Sequence, residues 1–166
     1  MCIMSFYVKS MWRKFTPTNE YLLAVKDIDT LDKLVTFLKD IKYNLELKDY
    51  WDTPEEVINN GSCDCDGYAR LALDILVRIQ KRSNVYFVIY SGYYIKNSVL
   101  KRSGHAVAVF PYKDKLAVIS NNNLLTGYNT YTEIGHKYYP KGLKSMTIVD
   151  ENGKVILNKH NWFKNF

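Results

Sequence analysis

Apolar residues in the first half of the chain recur every three or four positions, the spacing of a helix with one buried face. Between Asp29 and about Leu47 this spacing predicts an amphipathic helix, capped at its start by Asp29 or Thr30. The buried face of this helix is expected to carry Leu31, Leu34, Val35, Leu38, Ile41 and Leu45.

Further helices are predicted on either side of the segment NGSC. Thr53, Pro54 and Glu56 form a helix-start signature of cap, first-turn proline and capping-box glutamate, and Gly61 supplies a left-handed stop. From Cys65 onward an apolar stripe predicts a longer helix that packs one face on the core. The stripe contains Tyr68, Leu71, Ala72, Ile75, Leu76 and Ile79, and the charged residues off it are Arg70, Asp74, Arg78 and Lys81.

After Ser83 the pattern changes to β-branched and aromatic runs, which are typical of strands. NVYFVIYSGYY predicts a strand covered on both faces, and Lys96 to Gly104 is expected to be a polar, basic connection. HAVAVFPYKDKLAVIS predicts a pair of strands turning at Lys113-Asp114, and SMTIVDENGKVIL a second hairpin turning at Asn152-Gly153. Helices followed by mostly adjacent antiparallel strands predict an α+β domain.

The composition is that of an ordinary globular protein. The chain has 166 residues, 47% hydrophobic and 24% charged, which argues against disorder and favours one domain over residues 1–166. No apolar run approaches the ~20 residues that span a bilayer, and the start of the chain lacks signal-peptide features, so we expect a cytoplasmic protein without membrane association. Heavy use of lysine, asparagine and tyrosine is typical of AT-rich genomes, which include viral and phage genomes expressed in a host cytoplasm.

The formal net charge of +6 raises the question of an acidic partner. The cationic residues are spread along the chain without a dense basic block, and no nucleic-acid-binding motif accompanies them. We therefore do not expect nucleic acid to be the partner.

The cysteines are the first indication of chemistry. Of the three in the chain, Cys63 and Cys65 lie two positions apart, where a disulfide between them would be strained. Free thiols are therefore expected. We predict no metal site and no cofactor, because the ligands available to complete a zinc site lack the required spacing. Those ligands are His105, His136, His160 and Cys2.

Cys65 is the candidate nucleophile. A helix N-terminus and a neighbouring imidazole both stabilise a thiolate. Cys65 has the first by its position, and His105 at the head of a predicted strand is the candidate for the second. Asp64 and Asp66 disfavour a thiolate but face the positive end of the helix. Gly67 is expected to let a substrate backbone approach that end.

The segment W-x-x-P-E-E followed by G-x-C-D-C-D-G-Y-A-R-L resembles the nucleophile segment of bacterial transglutaminase-like cysteine peptidases, which belong to the papain-like superfamily. In this resemblance Cys65 takes the nucleophile position. GHAVAV, which contains His105, is similar to the strand that carries the catalytic histidine in the family. The resemblance extends roughly from Trp51 to Leu125. It implies a papain-like, transglutaminase-core fold in which N-terminal helices pack on an antiparallel sheet.

The third catalytic position departs from the family pattern. Family members usually carry aspartate where this chain offers Ser120, Asn121 and Asn122. With a two-residue turn at Lys113-Asp114, alternation along the strands puts Ser120 on the face of His105, whereas one more turn residue would put Asn121 there. An amide can accept from the imidazole, as asparagine does in papain-like sites, so Asn121 is our assignment and Ser120 the alternative.

The resemblance implies a cysteine hydrolase, a peptidase or an amidase, which transfers an acyl group through a thioester on Cys65 with His105 as general base. Its substrate would be a protein or peptide, and no cofactor would be needed. Two alternatives stay open at this point. One is a transglutaminase that cross-links or deamidates proteins, and the other is a catalytically impaired papain-like module that binds peptides in the same groove.

Overall fold

The computed structural model describes residues 11–45 and 50–160. The helices in these ranges are α1 Asn19–Val25, α2 Leu31–Lys39, α3 Pro54–Asn60, α4 Cys65–Arg78 and α5 Tyr131–Tyr138. The strands are β1 Lys42–Tyr43, β2 Ser62–Cys63, β3 Tyr86–Lys96, β4 Val99–Tyr112, β5 Lys115–Ser120, β6 Asn123–Tyr128, β7 Leu143–Val149 and β8 Val155–His160.

The main sheet has the strand order β6-β5-β4-β3-β7-β8, and all its neighbouring strands are antiparallel. The short strands β1 and β2 form a separate parallel pair that precedes α4. Helix α4 covers one face of the main sheet, where its apolar stripe joins the larger core. Helix α5 lies against the other face and helps to bury a second core. The α+β class with an antiparallel sheet is therefore confirmed.

The helix signals around NGSC are confirmed. The Thr53 hydroxyl accepts from the Glu56 N–H, and the Glu56 carboxylate accepts from the Thr53 N–H, which completes a capping box at the start of α3. Gly61 ends α3 with φ 63°, in the left-handed region that glycine adopts without strain. Helix α4 begins at Cys65, with Asp64 as its N-cap.

The helix predicted from Asp29 to Leu47 is shorter in the structure. Thr30 caps α2 and the helix ends at Lys39. The chain then enters β1, whose backbone is held by hydrogen bonds from Lys42 and Asn44 to the carbonyls of Gly61 and Cys63. Apolar spacing alone extended the helix too far, because residues beyond Lys39 are held by the partner strand.

The prediction of a polar connection from Lys96 to Gly104 is wrong. Strands β3 and β4 continue as a hairpin and turn only at Asn97-Ser98, whose φ angles of 51° and 61° suit a two-residue turn. This part of the hairpin extends beyond the cores, so its sequence lacks the alternation of a half-buried strand. The turns at Lys113-Asp114 and around Gly153 are confirmed.

Helix α5, helix α1 and strand β6 were not predicted. The sequence does contain a signal for α5, because Thr130 and Glu133 have the spacing of a capping box. In the structure the Thr130 hydroxyl caps the helix by accepting from the Glu133 N–H. No helix within residues 11–45 and 50–160 is long and apolar enough to cross a membrane.

Arg70 is also placed differently from the prediction. It is 3% exposed, and its guanidinium donates to the backbone carbonyls of Trp51, Asp52 and Arg13. It also lies 4.6 Å from the ring of Trp12. The segments before α1 and α3 cover this flank of α4, so a residue off the apolar stripe is buried and holds these segments in place.

Candidate active site

Cys65 lies where the start of α4 meets strand β4. The Asp64 carboxylate caps the helix by accepting from the Asp66 N–H at 3.2 Å. The backbone N–H of Ala106 lies close to the Cys65 sulfur and lowers the pKa of the thiol. Cys65 packs at the border of the core on the α4 face and is partly exposed. The helix start therefore holds the thiol directly beside the residue that follows His105.

His105 lies on the opposite face of the sheet. It pairs across the strands with Tyr90, and directly opposed residues of antiparallel strands share a face. That face is covered by α5, whose last residue, Tyr138, places its ring centroid 4.5 Å from that of His105. The Nε2 atom of His105 is 2.9 Å from the Oγ atom of Ser120. His105 has no other hydrogen bond among the described residues, so Nδ1 is the ring nitrogen left for chemistry.

Cys65 and His105 nevertheless line a single cavity of about 460 Å³. Strand β5 pairs with β4 only over residues 108–112 and ends at Ser120. At Ala106, therefore, β4 has no neighbouring strand on that side within the described residues. The N-terminus of α4 reaches this free edge, where Cys65 and His105 both border the cavity.

The structure brings Ser120, rather than Asn121, to the imidazole. The two-residue turn at Lys113-Asp114 is the one that puts Ser120 on the face of His105. Asn121 lies in the following turn with φ 51°, and its Oδ1 is buried without a hydrogen bond in the described part of the chain. The alternation of side chains along the paired strands therefore decides which residue contacts His105. The chemical preference for an amide, which favoured Asn121, does not.

Burial dominates the electrostatics of both candidate residues. It raises the pKa of the Cys65 thiol to about 12, with smaller increases from Asp64 and Asp66, while the Ala106 N–H lowers it. Burial also lowers the pKa of His105 to about 4. At neutral pH the site therefore holds a thiol and a neutral imidazole, and the helix N-terminus does not outweigh desolvation.

Cys63 and Gly67 have packing roles. Cys63 is 1% exposed and lies in the core. A Cβ atom on Gly67 would lie 2.5 Å from the Cβ of Cys63, so the glycine makes room for this buried cysteine. The prediction that Gly67 admits a substrate backbone is wrong, because this face of the helix points into the core.

Trp51 packs in the core and also borders the cavity. It is 4% exposed and its ring centroid lies 5.2 Å from that of Phe87 in the core. It also contributes to the lining of the cavity that holds Cys65 and His105. Its packing therefore fixes part of the wall of the site.

Among the described residues, the group of metal-ligand type is Asp64, Cys65 and Asp66, whose ligand atoms lie within 4.8 Å of one another. His136 lies in α5 and His160 ends β8, and neither belongs to this group. Cys2 lies outside the described residues.

Comparison with known proteins supports the fold. No sequence family and no curated protein matches this chain. Among solved structures, the chain is similar to calcium-bound LapG of Legionella pneumophila, with a TM-score of 0.51 and 16% identity. The match covers 86% of this chain and 82% of the LapG chain. At this identity the likeness concerns architecture: the chain has a LapG-like fold.

Proposed function

We propose that this protein is a cysteine hydrolase of the transglutaminase-like type, a peptidase or amidase acting on proteins or peptides. The observation that carries the proposal is that Cys65, at a helix N-terminus, and His105, on a strand, line one cavity. The fold adds support, since LapG is a transglutaminase-like cysteine protease.

In the proposed acylation step, Nδ1 of His105 takes the thiol proton as the Cys65 sulfur attacks the carbonyl carbon of an amide. For this step Nε2 carries the ring proton and donates a hydrogen bond to the Oγ atom of Ser120, so Nδ1 has the free lone pair. The imidazolium then gives its proton to the departing amine nitrogen, the C–N bond breaks and a thioester remains on Cys65. The backbone N–H of Cys65 at the helix start is the proposed oxyanion donor.

Deacylation returns the enzyme to its starting state. His105 takes a proton from water as the water oxygen attacks the thioester carbonyl, and the proton passes to the departing sulfur. The products are a carboxylic acid and the free thiol. An amine in place of water would give a new amide, which is the transglutaminase outcome.

Ser120 and Tyr138 are proposed as positioning residues. Ser120 holds Nε2, and the Tyr138 ring packs on the imidazole. Burial raises the pKa of Tyr138 to about 12, so its hydroxyl stays protonated beside Ser120. Together they would fix the ring orientation that aspartate fixes in members of the resembled family.

The calcium named for LapG has no matching site at the candidate nucleophile of this chain. Calcium takes 6–8 oxygen ligands. The group around Cys65 offers two carboxylates, of which Asp64 already caps α4 and Asp66 lies close to the Arg70 guanidinium. These residues do not fit a calcium site, and no step above uses one.

The proposal is tested by incubating the purified protein with casein and with a glutamine-containing peptide, with and without hydroxylamine. Peptide release from casein, or ammonia release from the glutamine peptide without hydroxylamine, indicates hydrolysis, and hydroxamate formation indicates transfer to an amine. Cys65→Ala is expected to abolish every product, and His105→Gln to lower the rate by about 10²- to 10⁴-fold. Cys63→Ala is the matched thiol control and should retain activity. Turnover that persists in Cys65→Ala would refute the mechanism.

A peptide-binding module is the second candidate, favoured by the hydroxyl partner of His105. Ser120 provides no negative charge to stabilise an imidazolium. Ser120→Asp would restore a carboxylate and raise the pKa of His105. The binding module would be supported if the unaltered chain binds peptides without turnover and only the Ser120→Asp variant turns over casein and the glutamine-containing peptide.

A further inference from the structure

The hairpin of β3 and β4 extends beyond the rest of the sheet. β3 and β4 pair with each other as far as Lys96 and Val99, whereas β5 pairs with β4 only over residues 108–112. We call residues 99–106 of β4, on the side away from β3, the open edge. Within the described residues no strand pairs with this edge. Its exposed residues include Leu100, Arg102 and Gly104.

The open edge leads directly to the nucleophile. The backbone N–H of Ala106 points away from β3 and lies close to the Cys65 sulfur. Backbone groups of alternate residues in an antiparallel strand point to the same side, so Gly104 and Arg102 present theirs along the same edge. The cavity of Cys65 and His105 is lined by these two residues as well. A chain added to this edge would therefore pass over the thiol.

The side chains around the open edge are apolar and cationic. Ile95, Val99 and Leu100 are 75%, 54% and 65% exposed. An exposed strand edge with apolar side chains is the kind of surface to which another strand adds. Lys101 and Arg102 provide positive charge there, and the sequence contains no acidic residue between Asp74 and Asp114.

The charge of the open edge favours an acidic segment over a second copy of this chain as its occupant. A second copy would bring Lys101 and Arg102 of both chains together at the paired edges, which is unfavourable. At the nucleophile end the charge is reversed, because Asp64 and Asp66 flank Cys65. An acidic residue of the occupant therefore belongs near Arg102, four positions from Ala106, or about 13 Å along an extended strand.

We infer that the open edge of β4 binds an extended, acidic and apolar segment of the protein substrate by strand addition, which places the reacting amide over Cys65. The inference rests on the proposed function, because it names the substrate class of the same site. The acidic residues lie about four positions from the reacting amide, on the side of Arg102.

Binding is measured by fluorescence anisotropy with the full chain carrying Cys65→Ala, so that no turnover is needed. The probes are labelled, end-capped peptides of about eight residues in which Val, Leu and Tyr alternate with Glu, with Gln or with Lys. The Glu peptides are expected to bind at least about tenfold more tightly than the Lys peptides and to weaken with salt. N-methylation of alternate backbone amides in the Glu peptides should abolish binding, because it blocks strand pairing.

Charge reversal tests the place of binding. The pair Lys101→Glu and Arg102→Glu is expected to weaken the Glu peptides by at least about tenfold. The pair Lys113→Glu and Lys115→Glu, at the other end of β4, is the matched control and should leave binding unchanged. The N-methylated probes test the same edge on a chain with no surface substitution.

Equal affinity for the three peptide types, or no effect of N-methylation, would overturn the inference. Binding of a uridine oligonucleotide in place of peptides, or self-association that depends on Leu100, would also overturn it. These results are separable from the proposed function. Glu-peptide binding without casein turnover keeps the inference and refutes the hydrolase, whereas casein turnover unaffected by the Lys101 and Arg102 reversals refutes the inference alone.

Discussion

His105 provides a quantitative test of the site, because its buried, neutral imidazole makes stability depend on pH. Burial lowers its pKa from 6.5 to about 4. The unfolded chain therefore binds this proton below about pH 6.5, whereas the folded chain binds it only below about pH 4. The contribution of the neutral imidazole is fully present above the unfolded pKa and is lost as the pH falls through this window. At about 1.4 kcal/mol per pKa unit, the loss is about 3 kcal/mol.

The experiment compares urea unfolding of the unaltered chain and His105→Gln at about pH 7.5 and about pH 4. The substitution removes the titrating group, so the free energy of unfolding of the unaltered chain should fall by about 3 kcal/mol more than that of the variant. His160→Gln, on the exposed end of β8, sets the baseline for losing an imidazole. Parallel pH curves would refute the buried neutral imidazole. A difference of opposite sign would mean that His105 is held as imidazolium by a Cys65 thiolate.

Three further predictions concern packing and capping, each measured by denaturant unfolding. Arg70→Met removes the donors to three backbone carbonyls and should destabilise the fold by about 2–5 kcal/mol, with Arg70→Lys less severe; an effect below about 0.5 kcal/mol would contradict the buried role. Gly67→Ala drives a methyl group into Cys63 and should cost about 1–3 kcal/mol; neutrality would mean the helix shifts freely. Thr53→Ala removes the α3 cap and should cost about 1 kcal/mol, whereas an unchanged midpoint would show the cap is dispensable.

Local sequence signals predicted the elements that depend on neighbouring residues. The capping box at Thr53, the glycine stop at Gly61 and the start of α4 at Cys65 are each determined by side chains within one helical turn. The two-residue turn at Lys113-Asp114 was likewise read correctly, and with it the parity that puts Ser120 beside His105.

The sequence failed where the environment is made by distant segments. Arg70 reads as a solvent-facing residue of an amphipathic helix, but residues up to 57 positions away supply its buried partners. The outer part of β4 reads as a loop because neither of its faces joins a core, although its pairing with β3 makes it a strand. Tyr138 gave no signal, since its role depends on where α5 docks.

By itself, the sequence determined the chemistry available to this protein: a cysteine at a helix start, a histidine at a strand, and a chain of strands without acidic residues between Asp74 and Asp114. These properties follow from residue type and local spacing. Only the tertiary structure decided that Cys65 and His105, which lie on opposite sides of the sheet, share a cavity. The physical reason is the early end of β5 at Ser120, which frees one edge of β4 so that the start of α4 can reach it.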